Sequence, residues 1–221
     1  MTAPTTFVVL TTQRSGSGWL VDLLDDHPSI AAYEELFKVT ETTVPRHGAS
    51  AVPTFEVMVG PRAFSTSRGL FLKRYEYLRG LARAHPEARA VGFKLMYDQT
   101  RDHPWLVSML MLMRTRFVHL VRRNSLDAVL SFDIAHEHDR WHHYAGEEAP
   151  PLRVRTDTSS LVERRDEVLG DLLAFLDVPG TGRALRSSVV RPTRKRALER
   201  IENGDDVCAA LAGTPYESLA A

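Results

Sequence analysis

Four short apolar runs, FVVLTT (7–12), SIAAY (29–33), AVGFKLM (90–96) and RFVHLV (116–121), are separated by stretches whose apolar residues recur at helical spacing. That alternation restricts the chain to the α/β class, with βαβ units wound around a mainly parallel central sheet flanked by helices. Helices are expected over 17–26, closed by His27-Pro28, over about 65–84, before His85-Pro86, and over about 103–114 and 124–140. A polar helix over about 159–177 ends at DVPG, and a last one covers about 195–212. Segments 38–64 and 146–160 lack periodicity; 38–64 reads either as a flexible loop over the site or as an irregular connection, and 146–160 as another such stretch.

At 221 residues the chain suits a single domain, 1–221, with a substantial core. Its formal charge is zero, which disfavours a globally basic nucleic-acid binder. A single cysteine, Cys208, excludes an internal disulfide framework and fits a cytoplasmic location; its side chain is expected to be half-buried in the last helix. The N-terminus lacks the basic start and apolar core of a signal peptide. The run PWLVSMLMLM (104–113) is half the length of a membrane span, and its methionines read as core packing.

Two strand-to-helix junctions carry the chemistry. After the first strand comes QRSGSGW (13–19), where Gly16 and Gly18 would let the backbone approach an anion. Ser15 and Ser17 would add hydroxyl donors and Arg14 a full charge, all at a helix N-terminus. An ordinary Gly/Ser turn is the competing reading. Neither G-x-x-x-x-G-K-[ST] nor G-x-G-x-x-G is present. The second junction, RNSLDAVLS (123–131), places Ser131 two helical turns beyond Arg123. Ligands of open α/β sheets bind at the carboxyl ends of strands, so the two junctions can grip two phosphates of one ligand.

Together these stretches resemble the sulfotransferases that use 3′-phosphoadenosine 5′-phosphosulfate (PAPS), whose motifs read approximately P-[KR]-S-G-[TS]-[TS]-[WL] and R-[ND]-P-x-D-x-x-x-S. The nearest likeness is to bacterial enzymes of the nodulation-factor and trehalose type, on YEELF (33–37), VGFKLMY (91–97) and LAGTPYE (211–217). The resemblance implies a P-loop NTPase-like three-layer fold. It also implies that Arg14, Ser15, Gly16, Ser17, Gly18 and Trp19 bind the 5′-phosphosulfate, and that Arg123 and Ser131 bind the 3′-phosphate. Arg191 and Lys195 are expected to join that second site. Glu35 is the implied catalytic base, with Glu34 the neighbour able to exchange roles, and the product is adenosine 3′,5′-bisphosphate.

Lys94 interrupts an apolar strand, which is costly unless its charge is paired or faces a cleft; it is expected to assist the sulfuryl group or to pair with Glu35. His138 and His142 have helical metal-pair spacing but no third ligand, so no metal is expected. The acceptor is expected to be a sugar, glycolipid or secondary metabolite, held by 38–64 and 140–160. Members of the resembled family carry a further strand before the helix over 159–177 that has no counterpart in this sequence, so the sheet is expected to lack that strand or to borrow one from a second copy, which implies a homodimer. A P-loop kinase and a non-catalytic nucleotide-binding protein are the competing readings.

Overall fold

The structure, a computed structural model, describes residues 3–38, 42–43, 52–60, 67–122, 125, 128–129, 132, 135, 164–189 and 204–220. Strands β1 (Thr5–Thr11), β2 (Ile30–Glu35), β5 (Ala90–Met96) and β6 (Arg116–Leu120) form one all-parallel sheet in the order β2-β5-β1-β6. Its central strand β5 is buried at every position, as expected of a parallel strand covered on both faces. Between β2 and β5 lies a small antiparallel pair, β3 (Thr42–Thr43) with β4 (Val52–Pro53).

Successive residues of a strand face opposite sides, and the two cores follow that rule. Val8, Tyr33, Val91, Phe93 and Leu95 pack against Leu70, Tyr77, Leu78 and Leu81 of α3 (Ser67–Arg83) and Leu106, Met109 and Leu110 of α5 (Leu106–Leu112). Phe7, Val9, Ile30, Ala32 and Ala90 pack instead against α1 (Ser17–Asp25) and α6 (Arg165–Phe175). Helix α1 leads β1 two positions along the sheet to β2, whereas the connection from β5 crosses β1 in the opposite direction to β6. Right-handed crossovers running in opposite directions must lie on opposite faces, which yields three layers.

Several boundaries differ from the sequence expectation. The helix expected over 103–114 is shorter, α5 over Leu106–Leu112, and a separate helix not expected from sequence, α4 (Tyr97–Asp102), precedes it. Proline disfavours helical conformation in the residue before it, and His103, ahead of Pro104, sits at φ −124° and ψ 68°. The "SIAAY" strand runs on to Glu35. The segment 38–64, expected to be irregular, contains the β3–β4 pair and a short α2 (Phe55–Val59). Within 124–140 the described residues Ser125, Ala128, Val129, Phe132 and Ala135 are helical. Of the last two expected helices, the described parts are α6 and α7 (Gly204–Leu211), followed by a 3-10 turn at Glu217–Ala220. Cys208 is exposed, because α7 buries none of its residues; the half-buried reading is corrected. On α5, Met109 is core but Met111 and Leu112 are exposed.

Gly92 has a specific reason to be glycine. A Cβ there would lie 2.5 Å from both the ring and the carbonyl oxygen of Phe7 on the neighbouring strand.

Candidate functional site

The loop joining β1 to α1 turns through two left-handed residues, Arg14 (φ 58°) and Gly16 (φ 85°), on either side of Ser15. Arginine is uncommon there, and such a conformation persists only where the surroundings enforce it. Two contacts do so. The buried Arg122 donates from Nη1 to the Arg14 carbonyl oxygen at 2.7 Å. The Thr11 hydroxyl lies 2.5 Å from Ser15 Oγ and 2.9 Å from the Leu120 carbonyl oxygen. Both join the first junction to the end of β6, where the second begins.

Ser15 and Ser17 are buried, and Gly16 caps α1 without a side-chain hydrogen bond to its amides. The first backbone N–H groups of α1 have no partner within the helix and point out of its N-terminus, and the helix dipole adds positive charge there. Burial lowers the pKa of Arg14, so its guanidinium lies in a weakly solvated setting where its field is poorly screened. Trp19 is half-buried against the core on α1's side, and Gly18 is buried.

One strand away lies an ionic cluster. Thr11, Met96 and Leu120 stand level in the sheet, so β1, β5 and β6 end along one edge. Lys94 pairs in register with Val9, on α1's face, about 7 Å below that edge at the usual rise per residue. Its ammonium contacts Glu34 Oε2 and, at 3.1 Å, Glu35 Oε1. Consecutive strand residues normally point to opposite faces; the register shifts between Tyr33 and Glu35, and that irregularity turns both carboxylates to one cation. Burial by itself lowers the Lys94 pKa, but the two carboxylates together outweigh it and raise the pKa above its ordinary value. Gln99 on α4 donates from Nε2 to Glu35 Oε2 at 2.7 Å while its Oε1 accepts the Met96 N–H at 3.1 Å.

Behind α4 a second buried network fixes the end of that helix. His103 accepts a hydrogen bond at Nδ1 from Arg74 Nη2 at 2.8 Å, and its Nε2 lies 3.3 Å from Glu56 Oε1. The ring stacks edge-on between Phe37 and Phe55, and Arg74 sits 5.3 Å over Phe55. Burial and the Arg74 charge push His103 down to about 4, so near neutral pH it is an uncharged bridge between a cation and a carboxylate.

The expected site residues thus form two groups: Arg14, Ser15, Gly16, Ser17, Gly18 and Trp19 on the loop, and Glu34, Glu35 and Lys94 at the adjoining strand ends. Arg123, Ser131, Arg191, Lys195, His138 and His142 lie outside the described residues. Described chain reaches Val189, two residues before Arg191. There Asp22 of α1 accepts Ser187 Oγ at 2.6 Å, Ser188 N at 2.5 Å and Val189 N at 3.3 Å.

Sequence reasoning gave no role to Arg122, Gln99 or Thr11. Gln99 occupies the third position of α4, where Glu or Gln reaches back to the capping residue's amide. Met96 stands where that pattern has Ser or Thr, so the motif is hidden in sequence. No protein-family model matches the chain, and no curated protein matches it significantly.

Proposed function

We propose that this chain is a PAPS-dependent sulfotransferase with a P-loop-like anion site, transferring a sulfuryl group to a hydroxyl acceptor of the sugar, glycolipid or secondary-metabolite class. The observation that carries this reading is the Arg122–Arg14 hydrogen bond. It ties a left-handed anion loop to the strand end from which the second phosphate-reading stretch begins, with a carboxylate–ammonium cluster one strand away.

In this reading the α1 amides, Ser15, Ser17 and Arg14 hold the phosphosulfate end. Bound there, the co-substrate supplies an activated sulfuryl group. Glu35 takes the proton of the acceptor hydroxyl as its oxygen bonds to sulfur. Arg14 and the loop amides meet the charge that develops on the bridging phosphate oxygen as its bond to sulfur breaks. Lys94 neutralises Glu34, so that Glu35 does not face a second uncompensated carboxylate. Arg123 and Ser131, with Arg191 and Lys195, are assigned the 3′-phosphate, and no metal takes part. The proposal extends to a cytoplasmic location and a homodimer. No helix among the described residues is long and apolar enough to cross a membrane.

Isothermal titration with adenosine 3′,5′-bisphosphate and with ATP tests the cofactor, and transfer from [35S]PAPS to a panel of sugars tests the reaction. Tighter binding of the bisphosphate and labelled sugar are expected; tighter binding of ATP, with magnesium-dependent phosphate transfer, would favour a P-loop kinase instead.

A further inference from the structure

Glu34 and Glu35 both touch Lys94, so proximity to that cation does not decide which one serves as base. Gln99 does distinguish them. It bonds to Glu35 at 2.7 Å, and its own orientation is not free. Gln99 is 6% exposed, and its Oε1 is committed to the Met96 N–H. Rotating the amide by half a turn would set NH2 against that N–H and a carbonyl oxygen against the Glu35 carboxylate, two repulsive contacts in place of two hydrogen bonds. Its helix is fixed as well: His103 N donates to the Gln99 carbonyl at 2.9 Å, and the ring of His103 is held between Arg74 and Glu56.

We propose that Gln99 is a positioning residue that assigns the base role to Glu35 and leaves Glu34 as the partner of Lys94. This rests on the sulfuryl-transfer reading. Among the described residues each Glu35 oxygen then has one donor, Lys94 at Oε1 and Gln99 at Oε2, which keeps a second lone pair on each for the acceptor's proton. Two effects oppose each other when the Gln99 donor is removed. Losing one of its N–H donors leaves the carboxylate with one hydrogen bond fewer, a gain in reactivity that general-base catalysis passes on only in part. Losing a fixed geometry costs on the order of 100-fold for a displacement near 1 Å. Positioning is the larger effect, so the net change is a loss.

The test uses the full chain and [35S]PAPS, following transfer to a sugar panel and, without added alcohol, to water. In either case the acceptor oxygen bonds to sulfur, the sulfur–phosphate oxygen bond breaks, and the proton passes to Glu35. Gln99→Leu is expected to lower kcat about tenfold or more while the Kd for adenosine 3′,5′-bisphosphate stays within about twofold. Gln99→Glu keeps an oxygen for the Met96 N–H, so it serves if the leucine variant does not fold. It sets a second carboxyl against Glu35, and the acidic limb of its kcat profile should move to higher pH, because facing carboxyls share a proton. Glu35→Gln should lose more activity than Glu34→Gln. An unchanged kcat in Gln99→Leu, a parallel fall in kcat and bisphosphate affinity, or an unshifted acidic limb in Gln99→Glu would overturn the assignment. A wild-type chain that binds no bisphosphate, or turns over no PAPS, overturns the sulfuryl-transfer reading itself and is recognised before any variant is made.

Discussion

At the scale of single residues, the least replaceable group in the cluster is Lys94. It is 3% exposed and holds two carboxylates, and breaking a buried pair by removing one partner strands charge in a poorly solvated site. Lys94→Met should therefore lower stability by about 3–5 kcal/mol in urea denaturation. Replacing all three, as Lys94→Met with Glu34→Gln and Glu35→Gln, should restore most of that loss, since no buried charge is then left unpaired. Glu35→Ala should lower turnover by about 100-fold or more and leave bisphosphate affinity intact. Arg14→Ala should weaken both, because in the proposed reaction the guanidinium meets the phosphosulfate in ground and transition states alike.

At the scale of elements, Gly92 and Asp22 show how narrowly the sheet and α1 are fitted. Gly92→Ala drives a methyl group into the Phe7 carbonyl, which cannot swing aside as a side chain would; a loss of roughly 1–3 kcal/mol, read as a lower urea midpoint, is expected. Asp22→Ala removes the carboxylate that accepts from the Ser188 amide and leaves the Val189 amide with Ser187 Oγ alone, and faster proteolytic cutting near 185–189 should report it. The strands were legible in sequence because parallel strands buried on both faces write continuous apolar runs, as AVGFKLM does. The Gly/Ser loop was legible from its turn residues. What escaped depends on contacts across the chain: the register shift that turns Glu34 and Glu35 to one lysine, Gln99 reaching back 64 residues to Glu35, and Arg122 reaching back 108 residues to Arg14. None of these has a local pattern.

At the scale of the whole molecule, the Arg74–His103–Glu56 network couples stability to pH. Because the folded chain holds His103 down to about 4 against an ordinary value of 6.5, its contribution is complete above pH 6.5 and is lost as pH falls toward 4. The full loss is on the order of 3 kcal/mol, seen as a urea midpoint that drops between pH 7 and pH 4.5 and drops less in His103→Gln. Glu56 is raised by the same burial and works in the opposite sense as it takes up a proton. The sheet edge that carries the ends of β1, β5 and β6 brings the loop after β1 and the carboxylate cluster together, and the proposed function needs one two-phosphate ligand to span both junctions. Isothermal titration of the wild-type chain and of Arg122→Ala with adenosine 3′,5′-bisphosphate tests it most directly. Tight binding by the wild type, weaker binding of ATP, and an affinity at least about tenfold lower in Arg122→Ala are expected; equal binding of the bisphosphate by both proteins, or a preference for ATP, would rule out a ligand held across the two junctions.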